Sequence, residues 1–156
     1  MINCTRLLCE KPGFYDAIRY QKGKPADTNR PIVVWNSTRR CNLKCRHCYI
    51  DARAAADAGE LSTSEAKIMI DDLAVFGAPV LLFSGGEPFM REDLFQLGEY
   101  ANHKGLRTVI STNGTLITEH LAKQVKAAGF SYVGISLDGL EATNDKFREQ
   151  EGAFKK

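Results

Sequence analysis

Cys41, Cys45 and Cys48 fall within eight consecutive positions, in Arg40-Cys-Asn-Leu-Lys-Cys-Arg-His-Cys-Tyr49. Three thiolates on one short loop can hold three irons of a four-iron, four-sulfur cluster and leave the fourth iron without a protein ligand. Reaction chemistry needs such an open position, and a structural site avoids one. Arg39, Arg40, Lys44 and Arg46 surround the loop, and their charge would offset that of thiolates and cluster. The same residues also allow a structural zinc site with His47 as fourth ligand. Zinc modules usually pair such a segment with a second, distant one, and this sequence has none. The spacing favours the cluster.

Three further polar groups lie downstream. Ser84-Gly-Gly-Glu-Pro88 offers two glycines that allow close backbone approach and expose amide N–H groups, a carboxylate at Glu87, and a proline that stops a strand. Ser111-Thr-Asn-Gly114 and Ser136-Leu-Asp-Gly139 carry hydroxyl, amide and carboxylate groups suited to a ribose or an amino-acid moiety. Each alone reads as an ordinary turn. All four groups, however, follow predicted strands, and parallel α/β folds bind ligands at the carboxyl ends of strands.

The elements that would position these groups follow from periodicity. Apolar runs predict buried strands over Pro31–Asn36, Pro79–Phe83, Leu106–Ile110 and Tyr132–Ser136. Ser62-Thr-Ser-Glu65 has capping-box spacing and opens a helix with Ala66, Met69, Ile70 and Leu73 at helical intervals up to Gly77. Leu94, Leu97 and Ala101 mark a second helix closed by Gly105, and Leu121, Val125 and Ala128 a third closed by Gly129. Strands after the cysteine loop recur roughly every 25 residues, one β-α unit, which implies a parallel sheet covered by helices. Ala52 to Ala58 reads equally as a short helix or a solvated linker. Residues 1–30 form a lead-in without a clear period, in which Cys4 and Cys9 are expected to pack as small hydrophobes. Glu151 to Lys156 reads as the opening of a further helix. With no closing element for the sheet, the chain reads as the N-terminal piece of a longer protein.

Composition narrows the function classes. The 156 residues are 44% hydrophobic and 26% charged, ordinary for one globular domain. A net charge of +2 does not suggest a nucleic-acid or anionic-membrane surface. No apolar run approaches the ~18 residues of a membrane span, and the start lacks a signal-peptide core. Five cysteines, an odd number, with three clustered, fit metal binding in a reducing cytosol better than a disulfide framework.

Taken together, the cysteine loop and Gly85-Gly-Glu-Pro88 resemble the two signature motifs of the radical S-adenosylmethionine (SAM) superfamily, with coverage from about Pro31 to the last residue. The resemblance implies a partial (β/α)6 barrel, of which about four β-α units are present. It implies a [4Fe-4S] cluster on Cys41, Cys45 and Cys48 whose unique iron chelates SAM. His47 would lie near the adenine, and Gly85, Gly86 and Glu87 would receive the methionine amino group. Ser111, Asn113, Ser136 and Asp138 would contact ribose or carboxylate. Arg148 would read the SAM carboxylate, or else form a surface salt bridge on the next helix. The implied chemistry is reductive cleavage of SAM to a 5′-deoxyadenosyl radical, with electrons from a flavodoxin- or ferredoxin-type donor.

The stretch Val33 to Tyr49, with Leu7-Leu-Cys9 and Asp16 to Tyr20, is similar to the members that make heme or heme d1 from siroheme, didecarboxysiroheme deacetylases in particular. That implies a siroheme-derived tetrapyrrole as substrate and a cytoplasmic, oxygen-sensitive enzyme. Relatives of this group commonly carry a cysteine-rich C-terminal domain with an auxiliary [4Fe-4S] cluster, absent from these residues. A radical maturase acting on a peptide is the alternative substrate reading, and a non-catalytic zinc-binding module the alternative class.

Overall fold

In a computed structural model, residues 30–55 and 57–156 are described. The lead-in over residues 1–29, with Cys4, Cys9 and the stretches Leu7–Cys9 and Asp16–Tyr20, lies outside the described residues.

The first helix begins where its cap is written. The Ser62 hydroxyl accepts from the Glu65 N–H while the Glu65 carboxylate accepts from the Ser62 N–H, the full reciprocal box. Helix α1, Thr63–Phe76, ends at Gly77, whose φ of 82° is the left-handed cap that glycine adopts without a Cβ penalty. Its inward residues Ala66 and Ile70 are wholly buried. In chain order the elements are β1 (Val33–Thr38), α1, β2 (Val80–Gly85), a 3-10 turn (Pro88–Met90), α2 (Leu94–His103), β3 (Arg107–Thr112), α3 (Glu119–Ala127), β4 (Tyr132–Ile135) and α4 (Glu141–Arg148). The strands form one parallel sheet in the order β1-β2-β3-β4. This is the α/β architecture expected, with four strands.

Three expectations shift. The strands β1, β2 and β3 run two residues further towards their carboxyl ends than apolarity alone marks; at β1 and β3 polar Ser37, Thr38 and Thr112 are buried and hydrogen-bonded there. The stretch around Ala52–Ala58 forms no helix among its described residues; Arg53 instead bridges to Arg40. The last helix is not at Glu151, where the chain only turns, but at Glu141–Arg148. Its sequence, EATNDKFR, carries no apolar stripe, so periodicity does not reveal it.

The core lies on one face of the sheet. Leu81, Phe83 and Ile110 point from the strands into Ile70 of α1, Leu94, Leu97 and Ala101 of α2 and Val125 of α3. Each fully buried Leu, Ile or Phe side chain contributes about 1.5–3 kcal/mol. Trp35, Phe83, Phe130 and Phe95 follow one another at ring separations of 5.5, 5.7 and 6.5 Å. The opposite face carries Val34, Leu82, Val109 and Tyr132 in one row and Asn36, Ser84, Ser111 and Gly134 in the next, none of them buried.

Gly98 of α2 faces the Phe130 ring so closely that a Cβ would overlap it. Gly98→Ala gains about 1 kcal/mol of helix propensity. Overpacking against a ring wedged between Phe83 and Phe95 costs about 1–3 kcal/mol. The variant is expected to melt below the parent in a thermal scan; a rise would show that the ring can move aside.

Candidate functional site

Each strand hands the chain to the site at its carboxyl end. At β1 the register against β2 slips by one residue between Asn36 and Thr38, a bulge centred on Ser37. Bulges re-aim a strand beside functional sites. Here buried Arg91 holds it, donating from Nη1 to the Ser37 carbonyl at 2.7 Å and from Nη2 to the Leu61 carbonyl at 2.8 Å. Its Nε lies 2.7 Å from Asp93 as an ion pair, and its guanidinium stacks 5.0 Å from the Trp35 ring. Beyond the bulge, Glu60 Oε1 accepts from the Thr38 hydroxyl and the Arg39 N–H, both at 2.8 Å. The loop then doubles back, with Cys41 N–H donating to Arg53 O and Arg53 N–H to Arg39 O.

Burial by itself would raise the Glu60 carboxyl, but the Arg39 N–H, Thr38 hydroxyl and Asp57 N–H bonds, with the Arg91 charge, hold it below its ordinary value. A depressed carboxyl stabilises above its unfolded pKa of about 4.3 and loses that contribution as pH falls through the lower folded value. The protection factor of the Arg39 amide is therefore expected to fall as acid protonates Glu60 in the parent and to be low already at neutral pH in Glu60→Ala. Equal protection in both proteins would remove Glu60 as the anchor.

The Gly85-Gly86-Glu87 turn packs against the cysteine loop. Its glycines admit the backbone of the cysteine loop: a Cβ on Gly85 would strike Thr38 O, and one on Gly86 would strike Arg40 O. The amides are directed inward, Gly86 N–H to Thr38 O at 2.8 Å and Glu87 N–H to Arg40 O at 2.7 Å, so they are not exposed to a ligand. Glu87 is completely buried. Its Oε1 accepts from the Thr112 hydroxyl at 2.7 Å and the Phe89 N–H at 3.3 Å, and its Oε2 from the Asn113 N–H at 2.9 Å. Burial raises its pKa against these three bonds. The carboxylate joins the ends of β2 and β3.

Asn113, brought in by β3, reaches the cysteine loop. Its Nδ2 donates to Asn42 Oδ1 at 2.9 Å and lies 3.9 Å from Cys41 Sγ, while its Oδ1 accepts from Thr115. Leu43 N–H also points at Cys41 Sγ, at 3.4 Å, and Ala52 N–H at Cys48 Sγ, at 3.4 Å. Cys45 Sγ receives Arg148 Nη1 at 3.8 Å, from α4 and 103 residues away in sequence. Each of the three sulfurs thus has an N–H directed at it. Burial pushes the Cys41 thiol up, and the charges of Glu87, Cys45 and Cys48 add to the effect. Three bare thiolates repel; bound iron would relieve that repulsion.

Helix α4 closes the other side. Arg46 N–H donates to Phe147 O at 2.9 Å, Arg46 Nε reaches Glu149 at 3.0 Å, and the His47 ring meets the Phe147 ring edge-on at 5.5 Å. Asp138, at the end of β4, lies 3.4 Å from His47 Nε2 and 2.7 Å from Arg148 Nε. Arg148 is buried, which excludes the surface salt bridge as its account. Ser136 gives its carbonyl to Arg148 Nη2 at 3.0 Å. Among the described residues no hydrogen bond engages the hydroxyls of Ser111 or Ser136. Periodicity and motifs missed Arg91, Glu60, Asn42 and Phe147, which hold the loop; Asn42 lies inside the cysteine motif but nothing in the spacing marks its role, and the other three belong to no motif.

The chemistry of the donor set, three thiols on one short loop, fits an iron–sulfur cluster. Among the described residues no three His, Cys, Asp or Glu side chains converge on a point where one ion could sit. His47, the fourth ligand of the zinc alternative, turns to Asp138 and Phe147. Three cysteine sulfurs on one loop, each with an N–H directed at it, are donors of the kind that hold an iron–sulfur cluster.

Residues 35–156 match the Radical SAM superfamily. The chain is 53% identical to Fe-coproporphyrin III synthase of Methanosarcina barkeri over 99% of its own length and 41% of that protein's. It is 46% identical to Pre-heme d1 synthase of Dinoroseobacter shibae over 81% of its length and 31% of that protein's. It therefore spans less than half the length of these curated relatives. Among solved structures, Streptococcus suis SuiB bound to S-adenosylmethionine superposes with a TM-score of 0.62 at 22% identity, over 78% of this chain and 28% of that one. That likeness concerns the fold alone.

Proposed function

The chain belongs to the radical SAM superfamily, and we propose that residues 31–156 are the N-terminal part of the core of an enzyme that removes acetate side chains from a siroheme-derived tetrapyrrole. One observation carries the chemistry: Cys41, Cys45 and Cys48 stand on the loop after β1, at the carboxyl end of a parallel sheet, with an N–H directed at each sulfur. The substrate class is supported by the identity to relatives named Fe-coproporphyrin III synthase and Pre-heme d1 synthase. In this reading the three thiolates hold a [4Fe-4S] cluster that chelates SAM, and a flavodoxin- or ferredoxin-type protein supplies the electron. Together, when bound, cluster and SAM supply reductive carbon–sulfur cleavage and a 5′-deoxyadenosyl radical for hydrogen abstraction.

The protein's own part is placement. Gly85 and Gly86, with the amides of this turn directed inward, have carbonyl oxygens to offer, and an ammonium requires acceptors. Glu87 sets that turn through β3 without contacting SAM. Ser111 on the open sheet face and Ser136 at the end of β4 keep hydroxyls for ribose, and half-exposed His47 is placed to flank an adenine. Asn113 and Asp138 act on the loop, through Asn42 and His47. No described helix is long and apolar enough to cross a membrane, and a cytoplasmic location belongs to the proposal.

The test is anaerobic loading with iron and sulfide, then dithionite, SAM and didecarboxysiroheme. Formation of 5′-deoxyadenosine with loss of acetate from the tetrapyrrole is the expected result. An iron-loaded protein that leaves SAM intact would overturn the radical chemistry. Cleavage of SAM with an unchanged tetrapyrrole would overturn the substrate and favour the peptide maturase. One zinc per chain and no iron would favour the zinc module.

A further inference from the structure

The turn after β3 is tied to the cysteine loop by a closed ring of three side chains. Asn113 Nδ2 donates to Asn42 Oδ1 at 2.9 Å, Asn42 Nδ2 to Thr115 Oγ1 at 2.8 Å, and Thr115 Oγ1 back to Asn113 Oδ1 at 2.7 Å. One backbone group sets the direction of the whole ring. The Thr115 N–H can only donate and lies 2.9 Å from the Asn113 carboxamide, so the atom facing it is the oxygen. The NH2 group is thereby turned the other way, towards Asn42 and towards Cys41 Sγ at 3.9 Å. Both N–H groups and both oxygen lone pairs of this carboxamide are then engaged. Nothing is left over for a ribose. The backbone behind the ring is equally fixed, with the Asn113 N–H on buried Glu87 and the Gly114 N–H on the Thr112 hydroxyl.

We infer that Asn113 is a positioning residue acting through Cys41: the ring with Thr115 and Asn42 aims its second N–H at the sulfur, and this donor raises the reduction potential of the cluster. The inference rests on the cluster assignment above. A donor at a ligating sulfur draws off electron density, and the reduced cluster, with one more negative charge, gains more from it than the oxidised one. Asn42 directly follows Cys41 in the chain, so the same ring also sets the distance between donor and sulfur.

The experiment compares parent, Asn113→Ala, Asn42→Ala and the double variant after anaerobic loading with iron and sulfide. It reads iron per chain and the cluster midpoint potential, with far-UV circular dichroism as the check on folding. Asn113→Ala is expected to shift the potential to a more negative value. Asn42→Ala should shift it the same way but less, because the donor stays and only its aim is lost. The double variant should match Asn113→Ala alone, since Asn42 reaches the sulfur through Asn113. A merely structural role would lower iron per chain or loosen the fold while the loaded fraction kept the parent's potential. That result overturns the inference, and so does a double variant whose shift is the sum of the two single ones. If Asn113→Ala does not fold or load, Asn42→Ala decides: a lowered potential supports the inference, and an unchanged one sinks it. A parent chain that takes up no iron would instead be a failure of the cluster assignment itself, a result distinct from either outcome.

Discussion

Cys45→Ala is expected to abolish iron loading while leaving the sheet folded. Cys45 sits on a loop, only partly buried, and none of the core side chains on α1, α2, β2 or β3 touches it through the hydrophobic cluster. Removing one of three thiolates deletes a third of the protein's hold on the cluster and exposes a second iron, so the loss should be near complete rather than proportionate. Removing a polar sulfur from a partly exposed loop should cost no more than about 1 kcal/mol of stability. Anaerobic iron and sulfide analysis beside a thermal melt measures both quantities. A variant that still holds four irons would remove Cys45 from the ligand set, and a variant that loses its sheet would make the cysteine structural.

Glu87→Ala is expected to do the opposite: to damage the fold first and the site as a consequence. The carboxylate has three donors, Phe89 N–H, Thr112 hydroxyl and Asn113 N–H, and no exposure. Truncation leaves those donors without an acceptor in a buried place, at about 1–3 kcal/mol for each that water cannot reach. The total is expected to exceed about 3 kcal/mol even if one hydroxyl turns away. Because Asn113 then loses its backbone anchor, the Asn113–Asn42 bond and the Cys41 half of the loop should loosen too. Glu87→Gln separates these effects: one amide oxygen can still serve two donors, while its NH2 group faces the remaining one, so a loss nearer 1 kcal/mol is expected. Denaturant unfolding of the three proteins reads the order parent, Gln, Ala. If Ala unfolds no earlier than the parent, the carboxylate is not the tie between β2 and β3.

The pH behaviour of Glu87 has its own sign. Burial raises its pKa, so ionisation is less favourable in the folded state than in the unfolded one. Its contribution therefore becomes more favourable as pH falls through the raised folded value and is complete below the unfolded one. Glu60 runs the other way, losing its contribution in acid. Each carboxylate accepts three hydrogen bonds; at Glu87 burial outweighs them, whereas at Glu60 they and the Arg91 charge outweigh burial.

Much of the architecture was readable in the chain, and for physical reasons. Helix α1 is announced by Ser62, Glu65 and Gly77, all local signals whose partners lie within a few residues. The strands announce themselves because Leu81, Phe83 and Ile110 must leave water. The cysteine triplet and the glycine pair were visible because ligand spacing and backbone freedom are written in neighbouring residues. Helix α4 was not visible, since its place depends on Asp138, Ser136 and the loop it clamps rather than on an apolar stripe.

What the amino-acid order determined alone, then, is the alternation of β and α units, the end of the sheet at which chemistry gathers, and the three sulfurs. Tertiary structure decided which way the polar groups face. It turned Glu87 inward, directed the Gly86 amide at Thr38, gave Arg148 to Cys45 rather than to solvent, and recruited Arg91 and Glu60 to hold a bulge and a loop. The reason is range. Apolar burial and capping are satisfied by near neighbours or by any core, so a local pattern reveals them. A hydrogen bond between residues 25 or 103 positions apart exists only once the sheet has set the distance between them.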